Sequence, residues 1–260
     1  MAGKVTVATL HQMKREKKKI AAAVAYDYQM AQLLDRAGAD LISVGDSVGH
    51  RFFGQATHHE VTMDQMVLCC LAVSRGVERA LVNCDLPFGT VQAGPEEAVR
   101  AAIRLVKEGH AEMVKVDGAA GHPEVVAAIA KAGIPVFAQF GFTPQSTMAI
   151  GGFMERTEAM LQEMHDQLVR DAHTLEAAGA CLLDVTNVGP QIIGEIAQAV
   201  KIPAIGGHNT GPAADGRITV SYSLIGYDAR AVDRERPSAA RLILDEAANY
   251  FNEVRAGRMK

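Results

Sequence analysis

Three acids and a lysine stand where apolar runs of this chain stop. Leu41–Val44 ends in Gly45, Asp46 and Ser47; Ala80–Cys84 ends in Asp85; Met113–Val116 carries Lys115 and ends in Asp117. Lys115 and Asp117 are two apart on one strand, so their side chains share a face. Carboxylates that meet at one mouth repel each other unless a cation or a lysine is present. An oxygen-rich site of this kind suits Mg²⁺, which takes a few carboxylates plus water and substrate oxygens. The chemistry that follows is binding of a 2-oxo acid, with the keto oxygen polarised and an enolate stabilised. Lys115 and Ser47 are then the candidates for its carboxylate. The competing reading of any one acid is an ordinary strand-end residue that caps a nearby helix.

The elements that must position these groups alternate regularly. Apolar runs at Ile20–Tyr26, Leu41–Val44, Ala80–Cys84, Met113–Val116, Ile134–Gln139, Cys181–Val185, Ile202–Ile205 and Ile218–Ser223 read as eight strands. They are continuous rather than alternating, as a sheet covered on both faces requires. Helices intervene: one capped by Thr9 and running to about Lys18, Tyr28–Ala37, one beginning at Thr62, Pro95 to Gly109, Pro123 to Gly133, about Glu158 to Ala178, Pro190 to Val200, and Pro237–Ala256. Ala-Gly pairs at 37–38, 132–133 and 178–179 stop helices and feed strands. The pattern predicts an α/β fold, a (β/α)₈ TIM barrel over residues 1–260 as one domain, with a doubly wound open sheet as the second choice. In a barrel the carboxyl ends of the strands line the site. There the sequence places Asp27, Asp46-Ser47, Asp85, Lys115, Asp117, Gln139, Asp184, Thr186 and His208.

Composition narrows the class. The chain has 260 residues, 48% of them hydrophobic, and a net charge of −4. This balance favours neither nucleic acid nor a membrane surface. The run Lys14–Lys19 reads as a solvated helix end. Cys69, Cys70, Cys84 and Cys181 fit no zinc or redox spacing and read as buried free thiols of a reducing compartment. The first twenty residues are charged, unlike a signal peptide, and no apolar stretch is long enough to span a membrane. A cytoplasmic enzyme is expected. The loop His50–Val61, with His58, His59 and Glu60, is long enough to be functional or mobile. Adjacent residues in an extended loop point apart, so His58 and His59 are not expected on one ion and read as solvated. No dinucleotide or phosphate-loop pattern occurs.

Together, Ala25-Tyr26-Asp27-Tyr28, Val44-Gly45-Asp46-Ser47-Val48-Gly49, Val61-Thr62, Asp85-Leu86-Pro87-Phe88, Val114-Lys115-Val116-Asp117-Gly118, Gly141-Phe142-Thr143-Pro144-Gln145-Ser146 and Gly151-Gly152-Phe153 resemble the ketopantoate hydroxymethyltransferase family. The likeness runs from about Thr9 to Gly226. It implies a barrel close to the phosphoenolpyruvate mutase and isocitrate lyase group, a Mg²⁺ ion and a large homo-oligomeric ring. The implied reaction moves a hydroxymethyl group from methylenetetrahydrofolate to 3-methyl-2-oxobutanoate, on the route to pantothenate. By position, Asp46 and Asp85 bind the metal, while Asp117 replaces a glutamate beside it. Ser47 and Lys115 hold the substrate, with Gln139 and Thr186 also in its reach.

The chain departs from that pattern in the site. Gln139 stands for a histidine, Thr186 for the glutamate base, and Tyr222-Ser223 for a His-Asp pair; the loop after Ser47 is more charged, and the Gly206–Gly216 loop holds one extra residue. A positioned base is worth ~10²–10⁴ in rate, about 3–5 kcal/mol of barrier. Two replacements are available: Asp184, one layer deeper on the face of Thr186, and His208. The structural alternatives are a core acid paired with Lys115 and a surface histidine. Beside the family reaction, the departures leave open a folate-independent lyase or hydrolase acting on another 2-oxo acid, and a catalytically weak homologue with a binding or assembly role.

Overall fold

Consecutive strands pair in parallel and close into a barrel in the order β1 to β8. The computed structural model describes residues 3–148, 158–207 and 209–258. The strands are β1 (Ile20–Val24), β2 (Leu41–Val44), β3 (Leu81–Asp85), β4 (Met113–Val116), β5 (Val136–Gly141), β6 (Leu182–Thr186), β7 (Ala204–Gly206) and β8 (Gly216–Val220). The helices are α1 (Val7–Arg15), α2 (Tyr28–Arg36), α3 (Met63–Gly76), α4 (Pro95–Lys107), α5 (Pro123–Lys131), α6 (Glu158–Ala177), α7 (Pro190–Ala199), α8 (Ser221–Ile225) and α9 (Ala239–Arg255). The chain groups into two compact units, Met1–Ile218 and Thr219–Lys260.

The helices form where local chemistry favours them. Pro95 and Pro123 open α4 and α5 at the first turn, where a missing N–H costs nothing. Thr62 and Gln65 form a reciprocal capping box at α3, and Met66, Cys69, Cys70 and Val73 are buried along it. The Ala-Gly stops behave as expected: Gly38, Gly133 and Gly179 all take positive φ. β2, β3 and β4 are buried at every position, so each polar residue they carry is held in the barrel core.

Four expectations are corrected. α1 is capped by Thr6, not Thr9; the two threonines form a reciprocal box, and the helix ends at Arg15. The basic run is not simply solvated, because Lys14 Nζ bonds Asp215 at 2.7 Å and Ala197 O at 2.7 Å, and Lys19 Nζ bonds Ala214 O. β8 starts two residues early, at Gly216, and Ser221–Ile225 is helical. The loop after Ser47 holds two short helical turns, Gly49–Phe53 and His58–Glu60, the second closed by a Thr57–Glu60 box.

Asp215 anchors the seam between the last and first strands. Its carboxylate accepts from Lys14 and from the Ala204 N–H at 2.8 Å, and its carbonyl accepts from Ile20 N at 2.9 Å. Gly216 follows at once. A Cβ there would lie 2.2 Å from Ile20 O, so the seam admits no side chain. The cysteines are all free thiols; three are buried and Cys181 is half-buried. Among the described residues no helix is long and apolar enough to cross a membrane.

Candidate active site

Strand register decides which side chains meet. Ser43 pairs with Asn83, Asp85 with Lys115, and Gln139 with Asp184. Five of the charged or polar groups expected at the mouth are almost fully buried: Asp46, Asp85, Lys115, Asp117 and Asp184. Burial without partners would be costly for each, and the partners are present. Lys115 Nζ lies 3.3 Å from Asp85 Oδ2 and 3.3 Å from Asp184 Oδ2. Asp85 Oδ1 accepts from Ser43 Oγ and Asn83 Nδ2, each at 3.3 Å, and its Oδ2 accepts from Asp46 N at 3.4 Å.

Asp46 sits just beyond β2. His58 Nδ1 is 3.2 Å from its Oδ1, and Gln145 Nε2 donates to its Oδ2 at 2.9 Å. Gln145 also donates from Nε2 to Leu86 O and from its backbone N to Asp117 Oδ2. One residue of the turn after β5 thus touches the loops of β2, β3 and β4. His59 Nε2 reaches Gln145 O at 3.0 Å, and its ring stands edge-on to Phe88. Ser47 Oγ and Tyr26 OH share a hydrogen bond of 2.8 Å.

A quieter chain lines the other side. Gln139 Nε2 donates to Thr186 Oγ1 at 2.9 Å, and Thr186 Oγ1 donates to Asp184 Oδ1 at 3.3 Å.

Electrostatics follow from this packing. Burial pushes Asp85 up to about 6, with the Lys115 charge opposing and the Asp46 charge adding. Burial and then the charge of Asp46 push Asp117 up to about 7. Burial also works upward on Asp46, but the His58 hydrogen bond and charge, Gln145 and Lys115 outweigh it and hold the carboxyl below its ordinary value. Burial disfavours charge on His58, yet Asp46 overcomes this and raises it. Lys115 is raised despite burial, by Asp85 and Asp184.

The expected set therefore converges in part as read. Asp46, Asp85, Lys115, Asp117 and Asp184 form one connected cluster, and Gln139 and Thr186 join it through Asp184. Asp27 caps α2 at Met30 N. His208 lies outside the described residues. Tyr222 is buried in α8, edge-on to Tyr227. Four contributors were not expected. His58 is not a solvated loop residue: it is half-buried on Asp46. Gln145 was visible only as part of a motif. Asn83 and Ser43 were overlooked inside apolar runs, though a polar residue in a strand buried on both faces is itself a signal.

The ketopantoate hydroxymethyltransferase family model matches residues 4–259. The 3-methyl-2-oxobutanoate hydroxymethyltransferase of Salinibacter ruber is 40% identical over 97% of this chain and 95% of that protein. The chain belongs to the ketopantoate hydroxymethyltransferase family. The enzyme of the same name from Desulforapulum autotrophicum is also 40% identical, over 98% of this chain and 94% of its own. Among solved structures, phosphoenolpyruvate phosphomutase from Streptomyces platensis subsp. rosaceus superposes with a TM-score of 0.62 at 15% identity, covering 98% of this chain and 99% of that one. A phosphonopyruvate hydrolase in complex with oxalate and Mg²⁺ gives 0.61 at 15% identity, over 96% and 98%. These two likenesses show the shared barrel fold.

The donor set fits a hard divalent ion. Among the described residues no three His, Cys, Asp or Glu side chains are grouped to hold an ion by themselves. Mg²⁺ does not need that, since it keeps waters and takes one or two carboxylates plus substrate oxygens. Asp117 Oδ1 is buried and accepts no hydrogen bond, so an acceptor is left over beside Asp46.

Proposed function

We propose that this chain catalyses transfer of a hydroxymethyl group to 3-methyl-2-oxobutanoate, with methylenetetrahydrofolate as donor and a divalent ion, Mg²⁺ first, in the mouth. The observation that carries this reading is the buried Asp46–Asp85–Lys115–Asp184 cluster at the strand ends of a chain in this family. Asp46 and Asp85 are the residues that would hold the ion, with Asp117 acting through water; the chemistry the ion would supply is to withdraw electrons from the keto oxygen. Lys115 supplies the fixed positive charge for the substrate carboxylate. Ser47 adds a hydroxyl oriented by Tyr26. Asp184 is the carboxylate on which the proton from C3 ends; the C–H electron pair becomes the enolate, which then attacks the one-carbon unit. Near-complete burial of these groups excludes water from the enolate.

The protein is read as cytoplasmic and homo-oligomeric. Leu242, Ile243, Leu244, Tyr250 and Phe251 of α9 are all exposed in the single chain, which supports assembly. Light scattering after size exclusion checks it: a monomer excludes this reading.

The test of the reaction is deuterium exchange at C3 of several 2-oxo acids by Mg²⁺-loaded protein in D₂O. Exchange is expected with 3-methyl-2-oxobutanoate; none with any 2-oxo acid overturns the proposal. A second reading, a folate-independent lyase or hydrolase of another 2-oxo acid, draws on Gln139 and Thr186, which replace the family's histidine and glutamate. Product analysis with and without the folate donor separates the two.

A further inference from the structure

Asp184 is well placed to store a proton and badly placed to collect one. It is 3% exposed, and its Oδ2 is taken by Lys115. Its other oxygen faces Thr186 Oγ1. Thr186 is two residues further along β6 on the same face and only half-buried, so it stands between Asp184 and the mouth.

The hydrogen bonds fix how the Thr186 hydroxyl is oriented. A hydroxyl has one proton to give and two lone pairs. Gln139 Nε2 donates into one lone pair at 2.9 Å. Asp184 Oδ1, an acceptor only, takes the proton. One lone pair is left. The bond to Asp184 is longer than a usual O–H···O bond, and catalytic bonds are often long before substrate binds and tighten afterwards.

We propose that Thr186 and Asp184 act together as the base: the hydroxyl receives the substrate proton as it passes its own to Asp184, and Gln139 positions it. The inference rests on the enolising reaction proposed above. The step balances without a co-reactant. The C3–H bond breaks and its electron pair stays on the substrate as the enolate. A new O–H bond forms at Thr186 Oγ1, the old one breaks, and the proton ends on Asp184 Oδ1. Thr186 is neutral before and after, so no free alkoxide is formed. A threonine alone is no base near neutral pH; a threonine backed by a carboxylate is. Thr186 is the catalytic residue that touches the substrate, and Gln139 is a positioning residue.

The experiment is tritium washout from C3-tritiated 3-methyl-2-oxobutanoate by the Mg²⁺-loaded full chain, run in H₂O and in D₂O. Thr186→Val keeps the shape and removes the hydroxyl; the rate is expected to fall ~10²–10⁴-fold, the contribution of a positioned base. Thr186→Ser is expected to recover most of it. Mg²⁺ affinity, read by titration calorimetry, is expected to stay unchanged in both. The wild type is expected to show a normal solvent isotope effect, because the hydroxyl proton moves in the same step. Thr186→Glu, which puts a carboxylate directly at the mouth, is expected to wash out tritium without that effect. Washout by Thr186→Val at the wild-type rate overturns the relay. So does a wild type with no solvent isotope effect, a measurement that needs no variant to fold. A wild type inactive towards every 2-oxo acid instead overturns the reaction itself.

Discussion

The two sides of the mouth are built on different physics. The side formed by β2, β3 and β4 is dense in charge: Asp46, Asp85, Lys115 and Asp117 lie within a few ångströms, and loop residues His58 and Gln145 tie them down. The side formed by β5 and the end of β6 presents neutral groups, Gln139 and Thr186, joined to the charge only through Asp184. The charged side can bind and polarise. Its carboxylates face a lysine and backbone N–H groups, and they are the ones proposed to hold the ion. The neutral side has little to bind with but has a hydroxyl oriented towards a carboxylate. In the proposed mechanism binding and proton transfer are thus separated in space, and a change on one side should leave the other largely intact.

The hardest break is Asp46→Ala. It is expected to weaken Mg²⁺ binding by ~10³-fold, the several kcal/mol of an ion-centred interaction, in titration calorimetry. Unchanged affinity would place the ion elsewhere. Lys115→Met comes next. It leaves Asp85 and Asp184 buried without their counter-charge, and breaking such a pair costs about 3–5 kcal/mol. Denaturant unfolding should show the loss; a variant as stable as wild type would mean the acids are protonated or hydrated. His58→Ala removes a partner of Asp46, the carboxylate proposed to hold the ion, without touching the ion. A 10–100-fold loss of Mg²⁺ affinity is the expected scale for such an outer partner, with C3 exchange at saturating Mg²⁺ nearly retained. Gln139→Ala should be the mildest in stability, about 1 kcal/mol for one hydrogen bond, while slowing exchange and sparing Mg²⁺ affinity.

The comparison also has a pH dependence. Asp85 and Asp117 titrate in the fold at about 6 and about 7, above the ordinary carboxylate value. Their contribution to stability is therefore present at acid pH, below the ordinary value, and is lost as pH rises through about 6 and about 7. A divalent ion held by these acids, as proposed, would offset that loss. The rise in melting temperature on adding Mg²⁺ should be larger at pH 8 than at pH 5. An equal rise at both would separate these acids from the ion.

Much of this was legible in the sequence because it is local. β2 and β4 were read to the residue: each is a four-residue run with three apolar residues, bounded by Gly45-Asp46 or Asp117. The Ala-Gly stops and the Thr62 cap are also short-range signals. β8 was misplaced because Ile-Thr-Val-Ser-Tyr reads as a strand, while the true start, Gly216-Arg217, carries no apolar signal. The site was legible where acids end strands. It was not legible where contacts join distant residues: Gln145 meets Asp46 across 99 positions, and the Asp46–His58 contact depends on how a loop folds back. Asp184 was expected either as a base or as a partner of Lys115; the structure sets its Oδ2 on Lys115 and its Oδ1 on Thr186.

Gly216 has a consequence beyond the barrel seam it permits. A Cβ there has nowhere to go, since Ile20 O occupies the place. In a library of variants selected for new substrates, residue 216 should therefore stay glycine in every survivor, whatever the substrate. Thr186 and Gln139 should vary with the chemistry selected. Deep sequencing of such a library would separate positions that keep the protein folded from positions that set its reaction, without a single kinetic assay.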